Sequence, residues 1–504
     1  MKRIVNWMLA GAAVTALSAC IDLSPNYQQP AAPVPASWPD AASVTGAAGG
    51  AAAANTQASG TLAADIGWHS FFVDPRLQRT IALALSNSRD LRIAILDIEK
   101  ERAEYRIERA SLFPEIDLGG SQDAGRTPTS VSRAEAGESA TTTGATGHTS
   151  QIYSASLGFT SYELDLFGHV RNLSKAALET YLSTIETRRS TQISLVSDVA
   201  SDWLTLASDK RLLVIAQETQ ASQQQTFDLV EREHALGAAS ALDVEQAQAS
   251  LQSARNDVAQ AQTTAAQARN ALELVVGAPV PDADLPDAQV DPVTSITTIP
   301  AGIPSSVLQR RPDVLAAEHT LKADNADIGA ARANFFPTIS LTAALGFESP
   351  ALAQLFTGAN RSWEFEPSAT IPIFTAGQNR ATLDAAKVTL KIDVATYEKT
   401  IQTAFEEVAN ALATRATIDE QLDAQTRTVQ ADQHAYDLTM ALYKQGSDSL
   451  LDALTEQRLL YSAQQSLVST QLSAQTSLVT LYAALGGGVD PATPDETTAS
   501  AGKH

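Results

Sequence analysis

The chain of 504 residues holds 57 acidic and 35 basic residues, and its formal net charge of -22 at pH 7 disfavours nucleic acid as a partner. A single cysteine excludes any disulfide within the chain. The seven histidines are scattered, and the sequence contains no metal-ligand spacing, phosphate-binding glycine loop or nucleophile elbow. We therefore expect neither an enzyme nor a bound metal or cofactor.

The N-terminus has the pattern of a bacterial lipoprotein signal. Lys2 and Arg3 precede a mostly apolar run at 4–17, and Leu17-Ser18-Ala19-Cys20 matches a lipobox. The pattern predicts a signal peptide at 1–19 and a covalent lipid on Cys20, with a buried structural cysteine as the alternative. Acyl chains of this kind anchor a protein at a membrane surface without spanning the membrane.

The residues that follow the lipobox predict where the chain is attached. Residue 21 is isoleucine and not aspartate, which by the usual bacterial sorting pattern indicates the outer membrane. Residues 20–64 are rich in proline and then in alanine and glycine, with few large apolar side chains. Such a composition predicts a lipidated tether or loosely docked arm.

A first repeat is predicted at 65–290. Asp74-Pro75 is typical of a helix start, with an N-cap residue before a proline at the first helical position. After Gly168 the chain contains no proline for over a hundred residues, so we expect one helix of about 65 residues, roughly 100 Å long, and a returning helix. The predicted elements are a helix at 75–112, strands at 115–122 and 151–167, and helices at 170–236 and 240–276.

A second repeat is predicted at 291–489. Residues 278–304 carry many Pro and Asp residues without a helical period, which indicates a linker between the repeats. The elements predicted after it are a helix at 306–334, strands at 337–348 and 362–374, and helices at 378–444 and 448–485. The polar tail at 490–504 is predicted to be disordered.

The two repeats are related by constant spacings. Gly237 and Gly446 are 209 positions apart (446 minus 237), and the same spacing joins Asp243 to Asp452. Upstream the spacing is 223, as between Phe113 and Phe336 (336 minus 113). Alanine-rich helices can align by chance, but matched Phe-Pro, Gly and Asp positions favour a duplication.

The predicted strands alternate between apolar and small or polar residues. In the strand at 337–348 the apolar positions are Ile339, Leu341, Leu345 and Phe347. About ten residues of this pattern suit a tilted membrane strand, although a half-buried hairpin in a soluble sheet has the same period. Four strands cannot close a barrel, and an open edge is not tolerated in lipid. Three copies would supply twelve strands under cyclic symmetry.

Several motifs together resemble a known family. They are the lipobox, Asn87-Ser88-Arg89-Asp90-Leu91, Tyr162-Glu163-Leu164-Asp165-Leu166-Phe167-Gly168, Arg310-Arg311-Pro312-Asp313-Val314 with Glu318, and the duplicated hairpin. In this order they resemble the outer membrane factor family, the TolC/OprM/NodT-like channels of tripartite efflux pumps. The resemblance implies a mainly α fold with a small membrane β-barrel part, in which a trimer forms a 12-stranded β-barrel continuous with an α-helical barrel.

The resemblance also implies a function and partners. The protein would be a passive trimeric exit duct in the outer membrane of a Gram-negative bacterium, lipid-anchored and extending into the periplasm. It would carry small toxic compounds delivered by a periplasmic adaptor and an inner-membrane transporter, of the RND type. Its partners would thus be two further copies, the adaptor, the transporter and outer membrane lipid, with no nucleic acid.

The family's gate and docking sites map onto the turns of the two hairpins. The resemblance places the periplasmic gate at Leu451 and Asp452, with Asp448 at the mouth; Thr455 stands where many relatives carry a further aspartate. A threefold ring of carboxylates would favour cations. Alternatively, Asp452 complements the helix dipole, and we expect this structural role for Asp243. The adaptor-docking tips would be Gly237, Ala238, Ser240, Asp243, Gly446 and Ser447.

Two other classes of protein fit part of the sequence. A type I secretion conduit would share the fold, and the lipobox favours small-molecule efflux only by analogy. A periplasmic coiled-coil structural lipoprotein would explain the long helices and the lipid. It would not explain the alternating segments.

Overall fold

The computed structural model describes residues 21–38, 65–127, 148–295 and 305–489. The signal peptide, Cys20 and the tail at 490–504 lie outside the described residues. The expected fold class is confirmed, because the described chain is mainly helical with one four-stranded sheet. None of the helices in these ranges is both long and apolar enough to cross a bilayer.

The described chain before the sheet forms three helices, where the sequence predicts one at 75–112. Helix α1 covers Trp68–Phe71, α2 covers Pro75–Asn87 and α3 covers Arg89–Ala110. The single-helix prediction is wrong because Ser88 is extended (ψ 131°), and its hydroxyl accepts a hydrogen bond from the Leu91 N–H. Serine thus starts a new helix. Asp74 caps α2 as expected, accepting from the N–H groups of Arg76 and Leu77.

Strands β1 to β4 form one antiparallel sheet in chain order. They cover Asp117–Thr127, His148–Glu163, Thr338–Ser349 and Arg361–Thr370. The predicted ends at 167 and 374 are too late. After Glu163 the Leu166 N–H turns back to the Leu164 carbonyl. β4 ends at Thr370 because its partner there, Thr338, is the first residue of β3. β1 extends five residues past its predicted end at 122, paired to β2 throughout.

The sheet has one apolar and one polar face. Leu118, Leu157, Leu345 and Trp363 lie opposite one another in one row across all four strands. All four side chains are exposed, Leu118 by 81% and Trp363 by 77%. The row two residues along β3 and β4, toward the helices, contains Ala343 opposite Phe365. The other face carries Ser154 opposite Ser121 and Glu364 opposite Ala344.

Two helical hairpins follow the sheet's strand pairs. Helix α4 (His169–Ala235) returns as α5 (Ala241–Val276). Helix α6 (Pro312–Ala333) precedes β3, and α7 (Gln378–Lys444) returns as α8 (Leu450–Ala484). Residues 305–310, at the predicted start of a helix at 306–334, form a separate 3-10 turn. α4 and α7 are each 67 residues long, and their alanine- and glutamine-rich sequences contain no proline to interrupt them.

The chain divides into two compact units that do not correspond to the two repeats. Of the described residues, one unit combines 21–29, 99–127, 148–182 and 319–394, and the other combines 30–38, 65–98, 183–295, 305–318 and 395–489. The first includes the sheet and a small core of Ala176, Ala323 and Ala326. In the second, the rings of Phe71 and Tyr482 stack with centroids 3.8 Å apart. Each unit therefore needs segments of both repeats.

The segment predicted to be a linker is packed where the structure describes it. Val280, Leu285 and Val293 are buried. The indole N–H of Trp203 donates to the Asp284 carbonyl at 3.0 Å, and Phe72 forms a β-bridge with Thr294. These contacts belong to the second unit, so this part of the segment contributes to its core and is not a free tether.

Candidate functional site: the two hairpin tips

The first tip, residues 236–243, is closed by a complete capping box. Gly237 adopts a left-handed conformation (φ 78°), and the Ala238 N–H donates to the Glu233 carbonyl at 2.8 Å. The Asp243 N–H donates to Ser240 Oγ at 3.2 Å, while the Ser240 N–H and hydroxyl both donate to Asp243 Oδ2 at 2.9 and 2.7 Å. These bonds from Ser240 hold the pKa of Asp243 below its usual range. The Asp243 carboxylate is thus occupied by its own helix start.

The second tip, residues 445–452, has the same turn with one difference. Gly446 is left-handed (φ 72°), and the Ser449 hydroxyl donates to Asp452 Oδ2 at 2.6 Å. The Ser449 N–H, however, donates to Asp448 Oδ1 at 2.9 Å and not to Asp452. The Asp452 pKa is lowered, first by the Ser449 hydroxyl and then by Asp448. Asp452 therefore has a looser attachment to its helix start than Asp243 has.

The predicted gate residues Leu451 and Asp452 are exposed, Asp448 is half-buried, and their neighbours Leu450 and Leu454 are buried. Leu450 and Leu454 are buried in a cluster with Val230 and Ala247, one residue from each of α4 and α5. Leu451 is 53% exposed, and Asp452 beside it is also exposed. The cluster packs the two hairpins together near their tips, and it leaves Leu451 and Asp452 free to contact something outside the chain.

Five of the six residues predicted for adaptor docking are exposed, and the sixth, Asp243, is half-buried. Gly237, Ala238, Ser240, Gly446 and Ser447 are all exposed. A Cβ added at Gly237 or Gly446 would meet no heavy atom within 4 Å. Docking of an adaptor on these residues stays a prediction from the resemblance.

A contact that the sequence does not reveal joins the two hairpins. The Tyr443 hydroxyl donates to Glu233 Oε2 at 2.7 Å. Burial, and then the hydrogen bond to Glu233, raise the pKa of the Tyr443 phenol. Further from the tips, the hydroxyls of Ser222 and Tyr436 lie 2.9 Å apart and link the same two helices. Both links pair α4 with α7, which only the packed hairpins bring together.

The two family motifs make structural contacts. In Tyr162–Gly168, the Arg171 N–H and Nε donate to Asp165 at 2.9 and 3.1 Å, and Gly168 is left-handed (φ 79°). In the second motif, Arg311 donates to Asp313, to Glu407 at 2.8 Å and to the Ala484 carbonyl at 2.7 Å. The first motif fixes the strand-to-helix junction, and the second ties α6 to α7 and α8.

The chain directly after Cys20 is held against the sheet unit. The Ile21 N–H donates to the Leu166 carbonyl at 3.2 Å. Arg332 donates to the Leu23 carbonyl at 2.9 Å, and the Asn325 amide donates to the Pro25 carbonyl at 2.6 Å. This part of the arm is therefore firmly docked and not a loose tether.

Over the ranges described here, no group of three or more His, Cys, Asp or Glu residues could hold a metal ion.

Long helical hairpins with acid-capped tips, joined to a small sheet with an exposed apolar face, are the features of an outer-membrane channel subunit. The family model described as Outer membrane efflux protein matches residues 80–278 and 303–487. The chain belongs to this family, and the resemblance inferred from its motifs is confirmed.

Individual relatives match along almost their entire length. The toluene efflux pump outer membrane protein TtgC of Pseudomonas putida is 48% identical over 482 residues, 95% of each chain. The antibiotic efflux pump outer membrane protein ArpC of Pseudomonas putida has the same identity and coverage. The crystal structure of the open state of the Neisseria gonorrhoeae MtrE outer membrane channel superposes with a TM-score of 0.80 at 36% identity, covering 94% of this chain and 100% of that one. The protein is an outer-membrane component of an efflux pump.

Proposed function

We propose that three copies of the chain close into a passive duct through which small toxic organic compounds leave the cell. The apolar row of Leu118, Leu157, Leu345 and Trp363 carries the proposal, because four exposed apolar side chains in register across a sheet need lipid or another chain to cover them. The names of the toluene and antibiotic pump relatives support organic substrates and favour efflux over protein secretion.

The duct closes at the second tip in this proposal. Leu451 supplies an apolar constriction, Asp452 an acidic ring and Asp448 a further carboxylate at the mouth. The support is the exposure of Leu451 and Asp452, together with the missing bond from the Ser449 N–H to Asp452. Three carboxylates around a narrow pore attract cations and repel anions. Asp243, whose Oδ2 accepts from both the N–H and the hydroxyl of Ser240, has a structural role.

The pump is completed by partners at the tips and by a covalent lipid on Cys20. A periplasmic adaptor docks on the exposed tip residues Gly237, Ala238, Ser240, Gly446 and Ser447, and an RND-type inner-membrane transporter delivers substrate through it. Cleavage before Cys20 leaves this residue lipidated. The docking of Ile21 on Leu166 supports this anchor, because it holds the lipidated end beside the strand-to-helix junction.

Deletion of the gene in its host tests the function. Loss of the duct should sensitise the cells to organic solvents, dyes and antibiotics, and the wild-type gene should restore resistance. A Cys20→Ala variant made with a cleavable non-lipoprotein signal separates lipid anchoring from transport. Unchanged toxicity profiles in the deletion strain, with no second homologous duct expressed, would contradict the proposal.

A further inference from the structure

The sheet ends in two strands that are each paired on one side only. These edge strands are β1 and β4, and they run antiparallel to each other. If the proposed duct is correct, on which this inference rests, β4 of one copy pairs with β1 of the next. We call this junction the seam. An unpaired edge facing lipid would leave several backbone groups unsatisfied, so the seam must pair over as much of its length as possible.

Two constraints define the register of the seam. Residues directly opposite each other share a face, and the apolar face carries even-numbered residues of β1, such as Leu118, and odd-numbered residues of β4, such as Trp363. Full overlap sets 361–370 against 117–126. Only this register satisfies both constraints over all ten residues of β4.

The residues just beyond the strands support the same register. It sets Ile371 opposite Ile116, and these side chains are 61% and 67% exposed in the single chain. Within the strands, on the polar face, it sets Glu364 opposite Asp123; this like-charge pair does not itself favour the register, and water in the lumen would solvate both carboxylates. At the other end of the seam, next to the loops that join the strands, it sets Arg361 opposite Arg126.

Arg126 and Arg361 are two cationic residues that the seam places opposite each other on the apolar face. Both are exposed, and neither has a hydrogen-bonded or ion-paired acid among the residues that the structure describes. Two cations directly opposite each other across a ladder repel unless an anion lies between them. Two guanidinium groups on directly opposite residues can both donate to the oxygens of one phosphate group. The apolar rows on the same face, toward the helices, suit acyl chains.

We propose that each seam binds a phosphorylated lipid headgroup of the outer leaflet between Arg126 of one copy and Arg361 of the next. The loop ends of the strands face the cell exterior in the proposed duct, because the helices follow the other ends. The outer leaflet there consists of lipopolysaccharide, whose lipid A carries phosphates. A trimer thus has three such sites, and lipid binding stabilises the closure of the barrel.

Engineered cysteines test the register, since Cys20 is the only natural cysteine. The pair Leu118→Cys with Ala369→Cys should crosslink copies into covalent trimers on mild oxidation. The offset pair Gly120→Cys with Ala369→Cys is the control. Crosslinking only in the offset pair would overturn the proposed site. A chain that forms no trimers at all would overturn the proposed duct itself.

Lipid binding is then measured by native mass spectrometry on full-length trimers in non-ionic detergent. Bisphosphorylated lipid A should bind at up to three molecules per trimer, and dephosphorylated lipid A at least about tenfold more weakly. Arg126→Gln with Arg361→Gln should reduce affinity for the phosphorylated lipid by a similar factor, and Lys at both positions should restore part of it. Arg106→Gln, an exposed helical arginine, is the matched control. Equal binding of both lipids would refute the site. Unchanged binding of phosphorylated lipid A by trimers of the Gln variant would also refute it, provided that the cysteine pair crosslinks as expected.

Discussion

Tyr443 on α7 donates its phenolic hydrogen to the Glu233 carboxylate on α4 at 2.7 Å, 210 residues away in the chain. The bond lies beside the buried cluster of Val230, Ala247, Leu450 and Leu454, and Tyr443 itself packs on that cluster. Opening of the proposed gate by an outward swing of one hairpin would separate these groups. The bond therefore favours the arrangement in which the two hairpins lie together.

Removing this hydroxyl should make the duct easier to open. A hydrogen bond to a charged group contributes about 1.5 to 3 kcal/mol, so Tyr443→Phe should raise the open fraction by about tenfold or more if the bond breaks on opening. Single-channel recording in planar bilayers measures the change. Tyr436→Phe is the control, because it removes a hydroxyl that links the same two helices further from the tips. If it raises the open fraction as much as Tyr443→Phe does, the Tyr443–Glu233 bond has no special role in holding the gate closed.

The two tip aspartates should behave differently. Asp452→Ala should weaken the cation preference of the pore, because the proposed ring loses its three charges. Asp243→Ala should leave ion preference unchanged and cost about 1 kcal/mol of stability, because the bonds from Ser240 to the N3 carboxylate are lost while the Ser240 cap itself remains. Reversal potentials in a salt gradient and thermal unfolding separate the two effects. Unchanged current and ion preference in Asp452→Ala trimers would reject its place in the gate.

Asp324 should make stability depend on pH. Burial, then a hydrogen bond with Asp393, and the charges of Asp393 and Asp327 raise the pKa of Asp324 from an ordinary value of 3.8 to about 7. The folded protein keeps a proton that the unfolded chain releases, so stability should fall as pH rises from about 4 to about 7 and change little from this source above that.

The Asn variant isolates this contribution. Asp324→Asn removes the ionisable group, and its thermal midpoint should exceed that of the wild type by a margin that grows up to pH 7. Circular dichroism melts at several pH values measure it, with the exposed Asp97→Asn as the control. A margin that does not vary with pH would show that the carboxyl of Asp324 titrates normally.

Two left-handed glycines should respond unequally to alanine. Gly277 ends α5 with φ 77°, and a Cβ there would lie 2.6 Å from the Asn87 carbonyl oxygen. Gly277→Ala therefore meets both backbone strain and a backbone clash, and we expect a loss above about 2 kcal/mol. Gly237→Ala at the first tip has open space around its Cβ and should cost only about 1 kcal/mol. Chemical unfolding compares the two, and equal losses would exclude the clash.

The sequence predicts those features that depend on local pattern. Long proline-free segments favour long helices, and glycine followed by Ser-x-x-Asp, as at Ser240 and Asp243, predicts the tips. Alternation predicts the strands, but their ends depend on local events such as the turn at Leu164–Leu166. The break at Ser88 is hidden because serine tolerates both helix and cap.

Other features depend on packing between distant segments. The bond between Tyr443 and Glu233 depends on how the two hairpins are aligned with each other. The hydrophobic period within one segment does not determine that alignment. The burial of Val280, Leu285 and Val293 also follows from tertiary packing, because an aperiodic, proline-rich segment has the composition of a linker whether or not it is packed. The capping difference between Asp243 and Asp452 arises from Asp448, one residue before the cap serine, where the first tip has Ala239.

The current carried by purified trimers in planar bilayers tests the central claim most directly. Lipidated protein is extracted in detergent, the three-chain fraction is isolated, and wild-type and Tyr443→Phe trimers are compared. Three chains that enclose one conduit should give stepwise ohmic currents, larger or more frequent in the Phe variant, while single chains give none. A trimer fraction that never conducts, even with the inter-hairpin bond removed, would contradict the account.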